Sequence, residues 1–276
     1  MNRELQKLAR DFALWIADQD ENIVELPPEG VLEKTDGRTI PPMADDKTES
    51  DNLSDTASCQ PSKETMQRPS NKELLEKLRQ EVLSCRKCGL GQYRLNAVFG
   101  VGNPDARLMF VGEGPGFQED HQGEPFVGRS GQLLDKIMET VLGLKRSDVY
   151  IANIVKCHPM KNPETPEAHS NDRPPSPMET NECKDYLEEQ IRIIQPVCIV
   201  PLGSVAAKFL LKSTEGISVL RGKEYEYDIS DMPEIRHRIK IVPTYHPAAL
   251  LRNPNLKRDT WYDIKLVKAI LDSDGR

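Results

Sequence analysis

No stretch of this 276-residue sequence reaches the roughly 18 uninterrupted apolar residues that a membrane helix requires. Its first residues, MNRELQKLARDFALWIADQDEN, carry acids throughout and lack the apolar core of a signal peptide. A cytoplasmic protein without a membrane span is the expectation. An excess of positive charge, the usual footprint of a nucleic-acid binder, is missing as well: 37 Lys and Arg stand against 44 Asp and Glu, for a net charge of -7. No internal repeat is visible, which leaves out solenoids and arrays.

The acidity is unevenly placed. Residues 1–70 hold 8 of the basic and 15 of the acidic residues, so 71–276 retain 29 of each and are neutral. Within them, 236–268 carries eight basic residues against two acidic ones, a local face on which polyanions can settle. Two regions follow from this division. In 1–70, apolar residues at Leu5, Leu8, Phe12, Leu14, Trp15 and Ile16 give a short amphipathic helix over 2–18. From 25 to 70 Pro, Ser, Thr, Asp and Glu dominate, a composition that buries too little apolar area to offset ordering entropy and reads as linker.

In 71–276, strands and helices alternate. Asn71 is the expected N-cap of the first helix, and β-branched, apolar runs at 107–112, 148–155, 197–203 and 239–245 read as strands covered on both faces. Helical patterns at 130–142, 177–194, 204–211 and 259–271 lie between and after them. The expected fold is a three-layer α/β/α sandwich around a mostly parallel four-stranded sheet, with binding loops at the strands' C-terminal ends.

Six cysteines are present: Cys59, Cys85, Cys88, Cys157, Cys183 and Cys198. Without a secretion signal, metal or redox chemistry is a better expectation than disulfides. Cys85-Arg86-Lys87-Cys88 forms a C-x-x-C pair; Cys157 follows a strand, and Cys183 lies in a helix with 25 residues between the two. Four thiolates could hold zinc or an iron–sulfur cluster, or two of the four could be unrelated core residues, and spacing alone does not choose among these. Cys198, inside an apolar run, reads as core.

Three further segments sit where ligands bind. Gly112-Glu113-Gly114-Pro115-Gly116 closes the first strand, and its glycines let backbone N–H groups approach a ligand; it fits neither G-x-G-x-x-G nor the P-loop. Asn153 lies near the end of the second strand, and in a base pocket a carboxamide that donates and accepts side by side can tell uracil from cytosine. His246-Pro247-Ala248-Ala249-Leu250-Leu251-Arg252 offers a polar group, an apolar wedge and a base that can reach a phosphate.

Together these segments resemble the family 4 uracil-DNA glycosylases, the iron–sulfur branch of that superfamily. The resemblance covers about residues 74–272 and rests on CRKC, FGVGNPDARLMFVGEGPG, GEPFVGRSGQLLD, VYIANIVKCHP, the helix with Cys183, VPLGSVAA, VLRGK and YHPAALLRNP, in that order. It implies a [4Fe-4S] cluster on Cys85, Cys88, Cys157 and Cys183. It implies a uracil pocket lined by Glu113, Gly114 and Pro115, with Phe126 stacked on the base, Asn153 reading its edge and His246 reaching O2. Glu119, Asp120 or Glu113 would orient the attacking water, and Leu250, Leu251 and Arg252 would meet the DNA. The segment after Cys157 is about ten residues longer than the family's usual connection and is expected to form a surface loop. A related crosslinking branch carries a His-containing insertion near VLRGK; VLRGKEYEYD has no histidine, so turnover is expected rather than trapping.

The expected activity is hydrolysis of the uracil–deoxyribose bond in DNA by a monomer, with the extension as a candidate docking segment for a protein partner. Two rivals keep parts of the pattern. A zinc-stabilised nucleic-acid-binding module would keep the cysteines without needing Phe126, Asn153 and His246 as a set. An interaction protein would act through residues 1–70.

Overall fold

The structure is a computed structural model describing residues 69–235 and 237–275. The helix expected at 2–18, and the linker after it save its last two residues, lie outside the described residues. In chain order the elements are α1 (Asn71–Ser84), α2 (Leu90–Tyr93), β1 (Val101–Gly102), β2 (Leu108–Gly112), α3 (Phe117–Gln122), α4 (Arg129–Ile137), β3 (Tyr150–Asn153), α5 (Pro177–Ile194), β4 (Cys198–Pro201), α6 (Ser204–Leu211), α7 (Ile217–Leu220), β5 (Tyr225–Glu226), β6 (Lys240–Ile241), α8 (Pro247–Arg252) and α9 (Leu256–Ser273). The helix expected over 130–142 is divided: α4 passes into a π-helical turn, Met138–Leu142, that stops at Gly143 with φ 70°.

The sheet has six strands in the order β1-β3-β2-β4-β6-β5. The four expected strands form its parallel centre, and two-residue strands β1 and β5 add antiparallel edges that were not anticipated. Two residues are too few to show a period of two in sequence, yet they cover the open edges of β3 and β6. The expected strand 148–155 shortens to Tyr150–Asn153. Ile154 and Val155 stay apolar because they are fully buried and hydrogen-bond to Gly112 and Glu113 carbonyls at 3.0 and 3.2 Å, beyond the β3 ladder.

Alternation along β2 divides the core. Met109 and Val111 face one layer with Leu78 and Val82 of α1, Leu187 and Ile191 of α5, and Leu210 of α6. Leu108 and Phe110 face the other with Leu133 and Leu134 of α4, Leu250 of α8, and Ile264 and Val267 of α9. All five β2 residues are buried, as a sheet covered on both faces requires. The three-layer expectation therefore holds, with six strands instead of four.

Helix starts follow local chemistry. Ser70, not Asn71, caps α1: its hydroxyl accepts from the Glu73 N–H at 3.3 Å, and the Glu73 carboxylate accepts from the Ser70 N–H at 2.8 Å. Asn71 falls in the first turn and donates to Asp105 Oδ1 at 2.8 Å. The same box, Ser176 with Glu179 and Pro177 between them, starts α5.

Candidate active site

The loops leaving β2, β3, β4 and β6 at their C-terminal ends surround one cleft of about 480 Å³. The chain runs from β2 to a neighbour on one side and from β4 to a neighbour on the other, so the crevice opens where open α/β sheets bind ligands. Glu113, Gly114, Pro115, Phe126, Asn153 and His246 all line it, and every one of these sequence-predicted residues comes from this single chain.

Asn153 closes β3 and is 2% exposed, and its side-chain Oδ1 has no hydrogen-bond partner. An orphaned buried acceptor facing a cleft is the mark of a group completed by a ligand. Phe126 lies beside it, held at φ 54°, with its ring 5.5 Å from that of His246. Gly112 makes the room: a Cβ there would stand 2.3 Å from Asn153 Oδ1 and 2.7 Å from Phe126 Cζ. Gly131 does the same for the Phe126 backbone, whose carbonyl oxygen would be 1.7 Å from an added Cβ.

His246 caps α8. Its Nδ1 accepts from the Ala248 N–H at 3.1 Å, so in the neutral ring the proton sits on Nε2, which is left to donate. Burial and the nearby Arg252 charge push its pKa down to about 4. The imidazole at neutral pH is thus an uncharged donor. Burial also raises the Glu113 carboxyl above the usual carboxylate range.

Glu119 and Asp120, expected near the water, are tied up in structure. Glu119 Oε2 accepts from Gly116 N–H at 3.2 Å, and Oε1 from Val127 and Gly128 N–H at 3.0 and 3.2 Å, so its carboxylate staples the Gly-rich turn to the Phe126 loop. Asp120 is fully buried; its Oδ1 accepts from Leu95 and Asn96 N–H, both at 3.1 Å, and Oδ2 lies 3.6 Å from His158 Nδ1. Leu250 is also a core residue, with no exposed surface, because α8 packs its apolar side on α4. Leu251 is half-buried and Arg252 exposed, followed by the exposed Asn253, Pro254 and Asn255.

The long segment after Cys157 does more than cross the surface. Its tip is exposed, but Met160 bridges Asp172, Arg173 pairs bidentately with the buried Glu179 at 2.6 and 2.8 Å, and Asp172, Arg173, Pro174 and Pro175 form a wall of the cleft. Sequence reasoning missed this wall, since nothing local marks where a loop folds back. It also missed Gly203, two residues past β4 at φ 89°, where an added Cβ would stand only 3.0 Å from His246 Cβ.

Away from the cleft, Cys85, Cys88, Cys157 and Cys183 line a second, small hollow between α1, α2 and α5. The donor set is thiol throughout, and burial pushes Cys157 up to about 12 and raises Cys183. Among the described residues no three His, Cys, Asp or Glu side chains are grouped as they are around a single metal ion. Cys198 is buried core in β4, as expected.

A parallel-centred sheet with this cleft defines a class, and comparison gives the same one: residues 99–267 match the family model of the uracil DNA glycosylase superfamily. Among curated proteins, the chain is 42% identical over 200 residues to a type-4 uracil-DNA glycosylase of Sulfurisphaera tokodaii, covering 71% of this chain and 84% of that one. It is 40% identical to the type-4 enzyme of Archaeoglobus fulgidus, covering 71% and 92%, and 38% identical to that of Thermotoga maritima, covering 75% and 99%. The chain belongs to the type-4 uracil-DNA glycosylases.

Proposed function

We propose that the chain removes uracil from DNA by hydrolysing its N-glycosidic bond, releasing free uracil and leaving an abasic site, the opening step of base excision repair. The observation that carries this reading is the unpartnered Asn153 Oδ1, set in one cleft with the Phe126 ring and a His246 whose Nε2 is left to donate. Uracil offers a donor at N3 and an acceptor at O4, which a carboxamide meets with its oxygen and its NH₂; cytosine reverses both. Reaching the bond requires flipping the nucleotide out of the stack, at about a few kcal/mol. Arg252 would hold a phosphate, and Leu251, left partly free by α8, would fill the vacated space.

As the C1′–N1 bond breaks, charge gathers on uracil O2. A neutral His246 Nε2–H and the N–H groups of the 113–116 turn stabilise it, while a water oxygen bonds to C1′ and its proton ends on the solvent or the released base. Glu113, whose carboxyl has no other hydrogen-bond partner among the described residues, is the acid placed to orient that water; Glu119 acts by fixing the loops on either side. Replacing Asn153 by Asp removes the NH₂ donor and sets a carboxylate against O4. Release from single-stranded uracil DNA, read as alkali-labile product, is expected to fall by about 10²-fold or more; undiminished release would sink the base-reading role.

The hollow fits an iron–sulfur cluster. Four cysteines line it, from α1's end, the residues before α2, the segment after β3, and α5, with the Glu182 carboxylate beside them and no imidazole in the lining. Cys85, Cys88, Cys157 and Cys183 would hold a [4Fe-4S] group, which when bound supplies a cross-link and a one-electron couple. The tie would fasten α1 and α2 to the loop that follows Asn153 at the end of β3.

A further inference from the structure

Cys157 and Cys183 are only 6% and 7% exposed. Four thiolates on an iron–sulfide core bring net negative charge into this region, and buried charge needs donors and cations beside it. The chain provides them. Arg94, just past α2, turns its guanidinium to the hollow: Nη1 donates to Cys157 Sγ at 3.0 Å, and Nη2 donates to the Leu83 carbonyl in the last turn of α1 at 2.6 Å. The Lys156 backbone N–H donates to Cys183 Sγ at 3.3 Å. Tyr186 lines the same hollow, and Lys87 Nζ stands 4.7 Å from the centre of its ring.

Two of the four sulfurs, those of the buried cysteines, therefore have a donor each, and of these donors only that of Arg94 carries a full charge. A thiol buried for packing alone does not gather such partners. Cys198, fully buried in β4, has only a 3.8 Å contact from its Sγ to the Ile199 carbonyl.

We propose that Arg94 is the charge-compensating residue of the thiolate centre, fixing its reduction potential and its retention. The assignment rests on the cluster reading above. Adding an electron makes the sulfurs more negative, so a guanidinium in contact with one of them stabilises the reduced state more than the oxidised state. Removing it drives the couple to more negative potential. Partners of metal ligands typically change metal affinity by about 10–100-fold.

The test uses the full chain purified without oxygen, with iron counted per chain, the midpoint potential read at an electrode that supplies the electron, and iron loss to a chelator followed in time. Arg94→Gln is expected to move the potential negative and to lose iron at least about tenfold faster. Arg94→Lys, which keeps the charge but not the fork, falls between. An iron-loaded Arg94→Gln protein with the wild-type potential and wild-type iron loss overturns the Arg94 role alone. Should Arg94→Gln not fold, an iron-loaded Arg94→Met protein with wild-type potential and iron loss overturns it equally. A wild-type protein free of iron overturns the cluster reading, and the Arg94 role with it.

Discussion

His246 owes its chemistry to two neighbours: the Ala248 N–H that occupies Nδ1, and the burial that keeps the ring uncharged down to about pH 4. A group held neutral that far down should impose no acid limb near 6.5. The pH profile of kcat/KM for uracil release is expected to show no loss assignable to His246 between pH 7 and about 5; an inflection near 6.5 that disappears in His246→Gln would contradict this. Gly112 is the second residue whose role is geometric. Gly112→Ala drives a methyl into Asn153 Oδ1 and the Phe126 ring. Overpacking of this kind costs about 1–3 kcal/mol, so a lower melting temperature should accompany a large fall in uracil release. Normal turnover by that variant would mean that Asn153 and Phe126 do not hold the base.

Among the elements, α3 and the loop before α4 depend on one carboxylate. Glu119 accepts three backbone N–H groups across them, bonds that are stronger when the acceptor is charged. Glu119→Gln keeps the shape but weakens acceptance and points an NH₂ at an N–H donor. A stability loss of about 1–3 kcal/mol is expected by denaturant titration, together with a higher KM as the Phe126 loop loosens. A variant with unchanged stability and a kcat lowered alone would instead return Glu119 to a direct role on the water. The segment 158–176 belongs at this scale too. The sequence marked it as an extra surface loop, but it is anchored outside itself, Arg173 on Glu179 six residues on and His169 on Phe117, 52 residues back with ring centroids 4.4 Å apart, so its place as a cleft wall was not legible.

For the whole molecule, the cleft takes all its lining from residues 113–252, and the described residues form a core in two layers on either side of one sheet. No helix among the described residues is long and apolar enough to cross a membrane. A chain lacking residues 1–68 should therefore still fold and excise uracil from single- and double-stranded substrates at a rate within a few-fold of the full chain. A truncated protein that folds by circular dichroism but releases no uracil would place part of the catalytic apparatus in the extension. The neutral balance of 71–276 fits this division, since the acidic surplus that would repel DNA is confined to the first 70 residues.

Hydrophobic period and turn chemistry are local properties, and they determined most of the architecture: the four central strands, the long helices, and the position of each pocket loop at a strand end. Asn153 and His246 stood out for the same reason, each beside a strand that sequence alone reveals, whereas Phe126 came only from the family resemblance. Tertiary structure decided what depends on contacts between distant segments. It made Ser70 the cap in place of Asn71, buried Leu250 against α4, turned Glu119 and Asp120 to backbone donors, closed the sheet with two-residue edges, and brought Arg94 onto Cys157, 63 residues away. A side chain's type can be read along the chain, but its partner, its exposure and the charge state they impose are set only when the layers pack.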